Sequence, residues 1–181
     1  MAIQTHTIMI PSKVMAKNID SLTRSAKSDT DLDNGALVQL NTGVSNTYGE
    51  GELYLATTPA TGALSGLWMV GEPEVDVTDG KYKGIDVNPR FFFNAAGTPI
   101  SVFKPKEYDI VRLTDEAFTN TRGTNIYASA SDGTNKLTWV ASPVAGATSF
   151  KLVAPTYVSV PVGYPGAANR VPIYRLECVA E

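Results

Sequence analysis

Short apolar runs separated by turn-forming residues recur along most of this chain, and they constrain its fold more than any other feature. From residue 34 onward, these runs alternate with segments rich in Gly, Pro, Asn and Thr. Their length is typical of β-strands, whereas helices need longer periodic segments. The predicted strands are 36–40, 52–57, 67–70, 72–77, 100–103, 109–114, 125–130, 137–141, 149–153, 157–162 and 173–179. We therefore predict an all-β fold with a compact β-sandwich or barrel-like core.

Two local patterns add detail to this prediction. Asp132-Gly133 lies between two predicted strands, and Asp-Gly in that position is a strong signal for a hairpin turn. At most one short helix is expected, over Asn88–Ala96, with Asn88 as its N-cap. Pro89 suits the first position of that helix, and Gly97 can end it in a left-handed conformation. Three consecutive phenylalanines inside this segment cannot all face one side, so a strand remains the alternative.

The first 33 residues differ in texture from the rest of the chain. Isoleucines at positions 3, 8 and 10 stand among polar residues, and Pro11 interrupts the pattern. Between Lys13 and Lys27 the chain carries four basic residues and one acidic residue, followed by aspartates at 29, 31 and 33. Two interpretations are open, a flexible terminus and an extended arm that becomes ordered on the surface of a partner.

We favour the arm, and this choice defines the predicted domain organisation. Residues 1–33 form the N-terminal arm, and residues 34–120 form the β core domain. Residues 121–181 form a second β unit or a continuation of the same domain. If the arm is separate from the core, deletion of residues 1–28 is expected to leave the β domain folded.

The charge balance argues against two classes of partner. The 181 residues include 15 basic and 18 acidic side chains, a net charge of −3, so no overall positive field attracts nucleic acid or an anionic membrane. No apolar stretch approaches the roughly 20 residues needed to span a bilayer. The N-terminus lacks the charged start and unbroken apolar run of a signal peptide, so we expect synthesis and folding in a cytoplasm.

The sequence holds little that resembles catalytic machinery. His6 is the single histidine and Cys178 the single cysteine, which argues against His-based triads, internal disulfides and zinc sites. Phosphate-binding loops and nucleophile-elbow motifs are absent from the sequence. Glu72, Glu74 and Asp76 would share one face of a strand, as a carboxylate pair in a glycosidase requires, but a solvated strand face explains them better. We predict a protein that is not an enzyme and needs no cofactor.

Two further patterns in the sequence resemble binding sites. Asp29, Asp31 and Asp33 alternate as the first ligands of many calcium loops do, but the closing Glu and the mid-loop glycine are missing. Trp68 and Trp139 lie inside apolar strand runs, which favours core packing over an exposed platform for sugars. No metal site is therefore predicted.

A series of short motifs resembles a known family. The motifs, in chain order, are Asp33-Asn-Gly-Ala-Leu-Val38, Glu52-Leu-Tyr-Leu-Ala56, Thr58-Pro-Ala-Thr61, Leu67-Trp-Met-Val70, Glu72-Pro-Glu74, Asn94-Ala-Ala-Gly97 and Tyr108-Asp-Ile-Val-Arg-Leu-Thr-Asp-Glu-Ala117. This order resembles the decoration (cement) proteins of tailed-phage capsids, which are encoded near the major capsid gene. The resemblance covers roughly residues 33–120.

The resemblance implies a structural protein on the outer surface of a virion. Such a protein binds the major capsid protein, bridges neighbouring subunits, and often forms a homo-oligomer such as a trimer. An N-terminal arm would lie along the shell and add main-chain contacts. The predicted contact residues are Ile3, Ile8, Ile10, Lys13 and Lys17. The alternatives are another virion component (a head–tail completion, tail or fibre protein) and a carbohydrate-binding β module.

Overall fold

The computed structural model describes residues 5–41, 53–71, 89–161 and 168–181. Within these ranges the chain forms strands and short 3-10 helices, and none of the described helices reaches seven residues. The strands are β1 (Met9–Lys13), β2 (Thr23–Lys27), β3 (Leu37–Asn41), β4 (Leu53–Thr57), β5 (Trp68–Val70), β6 (Pro99–Phe103), β7 (Ile110–Thr114), β8 (Tyr127–Ala130), β9 (Leu137–Val140), β10 (Ser149–Pro161) and β11 (Ala168–Ala180). The 3-10 helices are Met15–Asn18, Asp20–Leu22, Pro89–Phe91 and Asp115–Ala117.

The strands form one open sheet and one barrel. The open sheet is antiparallel with the order β1-β7-β11-β10-β8-β9. The barrel has the order β2-β4-β3-β5-β6 and closes because β2 pairs in parallel with β4 and antiparallel with β6. The prediction of a compact all-β fold is confirmed, with a closed barrel as part of its core.

Two larger hydrophobic cores and one smaller cluster lie among the described residues. The main core contains Phe103 of the barrel together with Leu113, Phe150 and Leu176 of the open sheet, all nearly inaccessible to solvent. A second core lies among the barrel strands and is built from small and β-branched residues such as Val38. Because the main core joins strands from both ends of the chain, residues 121–181 are a continuation of the same unit rather than a separate domain.

The N-terminal segment is part of the fold, so the prediction of a separate arm is wrong for the described residues 5–33. β1 pairs with β7 in the open sheet, and β2 closes the barrel. Met9 and Ala16 are buried in the main core, and Ala26 is buried in the barrel core. Since deletion of residues 1–28 would remove both strands and these contacts, we now expect it to unfold the domain.

The predicted helix over Asn88–Ala96 is also wrong in the part that the structure describes. Only Pro89–Phe91 forms a single 3-10 turn. Asn94 then exchanges two backbone hydrogen bonds with Leu32, N to O, at 2.8 and 2.9 Å. A backbone amide committed to Leu32 cannot also bond within a helix, which ends the helical conformation after one turn.

Most predicted strands are confirmed, and one pair is merged. The predicted strands 149–153 and 157–162 form the single strand β10, although Pro155 lies between them. Pro155 is tolerated because β8 pairs only with Ser149–Lys151, so the side of β10 away from β11 has no described strand at that position. The Asp-Gly hairpin is confirmed between β8 and β9, with Gly133 at a φ of +69°. The predicted strand 72–77 lies outside the described residues.

Candidate interaction surface

The four predicted contact residues that the structure describes do not form a common exposed surface. Ile8 is only 2% exposed and Ile10 is half-buried. Lys17 donates a 2.7 Å hydrogen bond from Nζ to the carbonyl of Gly71, and its ammonium group lies 5.7 Å from the centre of a phenylalanine ring. Lys13 is exposed, whereas Ile3 lies outside the described residues. Because Ile8 is buried and the Lys17 ammonium group is bonded within the chain, neither side chain is available to contact a partner.

His6 links the N-terminal segment to the loop between β2 and β3 through a side-chain contact with Asp33. Its Nδ1 lies 2.7 Å from Oδ1 of Asp33, and its ring stacks on Phe93 with a centroid distance of 5.0 Å. The other carboxylate oxygen of Asp33 accepts hydrogen bonds from the backbone and the hydroxyl of Thr7 at 3.1 and 3.3 Å. The His–Asp pair thus has a structural explanation, because both carboxylate oxygens hold residues 6 and 7 in place.

The other carboxylates considered from the sequence are dispersed or occupied. Asp31 accepts a 2.8 Å hydrogen bond from the backbone amide of Ala96, and Asp29 is exposed. Across the described part of the chain, no three side chains of His, Cys, Asp or Glu converge as a metal site requires. Glu72, Glu74 and Asp76 lie outside the described residues.

Three of the described ionisable groups have shifted pKa values, namely Cys178, Glu116 and Tyr174, and burial is the main cause that raises the pKa of Tyr174. Burial raises the pKa of the Cys178 thiol to about 12, and the side chain is completely inaccessible to solvent. Burial also acts to raise the pKa of Glu116, but hydrogen bonds from Thr114 and Arg90 and the charge of Arg90 outweigh it and lower that pKa. Arg90 Nη2 lies 2.6 Å from Glu116 Oε1, beside the main core.

The tryptophans belong to the interior, as the sequence predicted. Trp139 is 2% exposed and stacks on Phe118 at a centroid distance of 4.5 Å. Tyr174 packs edge-on against the same indole ring at 5.2 Å. Trp68 is half-buried against the barrel core. Since carbohydrate platforms need an exposed aromatic face, Trp139 cannot provide one in this fold.

An open cleft of about 320 Å³ lies where the loop after β2 meets the loop between β8 and β9. Its lining includes Asp31, Asp33, Thr134 and Lys136. Both carboxylates already accept hydrogen bonds from other segments of the same chain, as described above. The side-chain amide of Asn135 donates a 2.8 Å hydrogen bond to the carbonyl of Leu37. The polar groups of the cleft thus hold loops together, and none of them forms a recognisable catalytic set.

One face of the β10–β11 hairpin is exposed to solvent. Beyond the residues paired with β8 and β7, these two strands pair only with each other among the described residues. We call their exposed face the hairpin strip; its residues are Pro155, Tyr157, Ser159, Arg170 and Pro172.

Direct cross-strand pairing holds the strip together. Tyr157 lies opposite Pro172, and Ser159 lies opposite Arg170. Tyr157 is 59% exposed, and the guanidinium group of Arg170 lies 4.8 Å from the centre of its ring. The strip is thus an ordered aromatic and cationic surface and not a set of scattered side chains.

The opposite face of the hairpin explains why the strip is ordered. Val158, Val160 and Val171 pack there against Ile8 and Ile10 from the N-terminal segment. An isolated two-stranded hairpin is at best marginally stable in water, so this packing supports the ribbon from behind. Sequence reasoning missed the strip because alternation along a strand indicates two different faces without indicating which one is covered.

Comparison with family models, with curated proteins and with solved structures finds no match to this chain. No helix within the described ranges is long and apolar enough to cross a membrane. The fold and the surface together define an all-β protein with a prominent exposed strip. Tyrosine and arginine are the residue types enriched where proteins contact one another, so the strip is the best candidate for an interaction surface.

Proposed function

We propose that this protein is a structural component of a tailed-phage virion that binds the outer surface of the capsid. In this proposal it stabilises the shell by bridging major capsid protein subunits, as a homo-oligomer on the virion. The resemblance of residues 33–120 to capsid decoration proteins supports the proposal, and so does the compact all-β fold.

The hairpin strip is the single structural observation on which the proposal rests. Tyr157 and Arg170 form a preorganised pair on a ribbon whose back is packed, so little conformational entropy is lost when a partner covers them. Each copy needs only modest affinity, because many copies on one shell act together through avidity. Ile8 and Ile10 then act from behind the strip, as its support, and no longer as contact residues.

A binding experiment with two variants tests this assignment. Shells assembled from the major capsid protein of the same phage are mixed with wild-type protein, and the bound fraction is measured by sedimentation. The double variant Tyr157→Ala with Arg170→Ala should weaken binding by a factor of at least about 30, because two central contact residues that each contribute on the order of 1–2 kcal/mol together contribute about 2 kcal/mol or more.

The matched control is Tyr108→Ala. Tyr108 is 71% exposed and its backbone amide bonds the carbonyl of Cys178, at the end of β11 remote from the strip. This variant should bind shells like wild type, and both variants should keep the wild-type melting temperature. Equal binding by the strip variant and the wild type would contradict the strip assignment. Failure of the wild type to bind these shells at all would contradict the proposed function.

The other virion functions predict a different behaviour in solution. A tail-tube or head–tail completion protein assembles into rings or tubes through its own subunits, whereas a decoration protein stays a small soluble species until it meets a shell. Size-exclusion chromatography with light scattering separates these outcomes. Rings or tubes formed by the purified chain alone would replace the decoration proposal with the tail or completion alternative.

A further inference from the structure

Two arginines lie directly opposite each other in the open sheet. Arg112 on β7 and Arg175 on β11 are register partners in an antiparallel pair. Side chains at such positions project from the same face, with their Cβ atoms about 4.5–5.5 Å apart. Like charges placed in this way destabilise a sheet, so the pairing calls for a compensating group.

Neither guanidinium group has that compensation among the residues that the structure describes. No carboxylate oxygen of the described residues lies within 4.0 Å of either group, since the ion pairs there involve other residues. The Nε atoms of both arginines are buried and have no hydrogen-bond partner. Arg112 Nη2 donates a long hydrogen bond of 3.4 Å to the hydroxyl of Ser12, and neither arginine side chain makes a second one to another described residue. Unsatisfied buried donors of this kind are rare in native proteins and point to a missing partner.

The surrounding charges limit what that partner can be. On the same face of β11, Glu177 follows Arg175 by two residues and lies opposite Lys151 on β10. Ile110 occupies the matching position on β7, and Lys13 is its register partner on β1. Over two adjacent register positions this face therefore carries four cationic side chains and one carboxylate. It is a compact cationic cluster and not the long basic stripe that a nucleic acid backbone needs.

We propose that Arg112 and Arg175 form a binding site for a single carboxylate group. The planar fork of a guanidinium group matches the two oxygens of a carboxylate, and one carboxylate between two arginines neutralises their repulsion. The site lies on the face of β11 that carries Val171 and Ile173, opposite the face that carries Pro172 of the hairpin strip. It is therefore independent of the strip and of the proposed capsid function.

Thermal unfolding at constant ionic strength tests the site without any shell. Sodium glutarate replaces sodium chloride in steps, and the melting temperature is followed by differential scanning fluorimetry. The wild type should be stabilised in a saturable manner, because a ligand that binds only the folded state raises the melting temperature. Arg112→Lys and Arg175→Lys keep the positive charges but lose the two parallel N–H donors of a guanidinium group. Each should raise the half-saturating concentration of glutarate about tenfold.

The control variant is Arg122→Gln, whose guanidinium group lies 6.0 Å from the centre of the Tyr174 ring, a side chain on the face of β11 opposite to Arg175. It should respond to glutarate like the wild type. Arg175→Gln should lose the response, and in chloride it should melt no lower than wild type because the repulsion is gone. Loss of the response in the control variant, an unchanged response in both lysine variants, or an equal response of wild type to phosphate would overturn the proposal.

A second arm identifies the source of the carboxylate. An acetylated and amidated peptide with one internal glutamate is titrated in parallel with glutarate. A lower half-saturating concentration for the peptide assigns the site to an acidic side chain of a protein partner. A lower value for glutarate assigns it to a small carboxylic acid.

Discussion

Replacing Ile8 by alanine tests whether the N-terminal segment belongs to the core. Ile8 is 2% exposed and packs with Val160 and Val171 behind the hairpin. Its backbone amide also donates a 3.1 Å hydrogen bond to the hydroxyl of Thr114, more than 100 residues away in sequence. An arm that is ordered only by a partner would have none of these contacts in the free protein.

The expected loss of stability follows from the burial of this side chain. Truncating a buried isoleucine to alanine costs about 2–5 kcal/mol, and a small cluster that can partly collapse lies at the lower end of that range. We therefore expect a decrease of about 2–3 kcal/mol in the free energy of unfolding. For a chain of this size, the melting temperature should fall by about 4–12 °C, at roughly 2–4 °C for each kcal/mol.

Urea unfolding followed by tryptophan fluorescence provides the measurement. Trp139 reports on the main core, and Trp68 reports on the barrel. Lys13→Ala is the matched control, because Lys13 is exposed on the adjoining strand and was also predicted from the sequence as a contact residue. That variant should stay within about 0.5 kcal/mol of wild type. If Ile8→Ala is as stable as Lys13→Ala, the segment is not part of the core and the reasoning fails.

Three further predictions concern single residues. Gly35→Ala should destabilise the protein by about 1–3 kcal/mol, because a Cβ at its φ of +83° would meet Leu113 at 2.5 Å; Gly62→Ala, at a similar φ but in open space, should cost clearly less in the same urea assay. Cys178 should resist a thiol reagent such as DTNB at about pH 8 and react fully once urea unfolds the chain, since burial raises its pKa to about 12; rapid labelling of the folded protein would contradict this. The pKa of Glu116 is lower in the folded protein than in the unfolded chain, so its ionised carboxylate stabilises the fold above the pKa of the unfolded state. This stability is lost as the pH falls through the pKa of the folded state. Urea unfolding from about pH 5 to pH 3 should therefore show a smaller loss of stability in Glu116→Gln than in wild type.

Features that depend on neighbouring residues were predicted correctly. The Asp132-Gly133 turn and the strands beside it follow from backbone preferences that act over a few residues. The prediction that Trp139 is a core residue was right for a similar reason, since its strand alternates between a buried and a half-exposed face. Such patterns depend on local geometry, and they hold in any tertiary structure that buries one face of the strand.

Features that depend on distant residues were predicted wrongly. Asn94 leaves the helical conformation because its backbone bonds Leu32, about 60 residues earlier in the chain. Pro155 lies inside β10 because the neighbouring strand ends before reaching it, which no local pattern indicates. Ile8 and Ile10 resembled part of a detached arm because β7, the strand beside which they lie, is distant in sequence.

By itself, the sequence determined the all-β class and the Asp132-Gly133 turn, because residue types and local spacing carry that information. The tertiary structure alone decided what the two faces of the β10–β11 hairpin do. Strand alternation separates Tyr157 from Val158, but it does not say which of them is covered. Ile8 and Ile10 settle that question from the other end of the chain, by packing on the valine face and leaving the tyrosine face exposed.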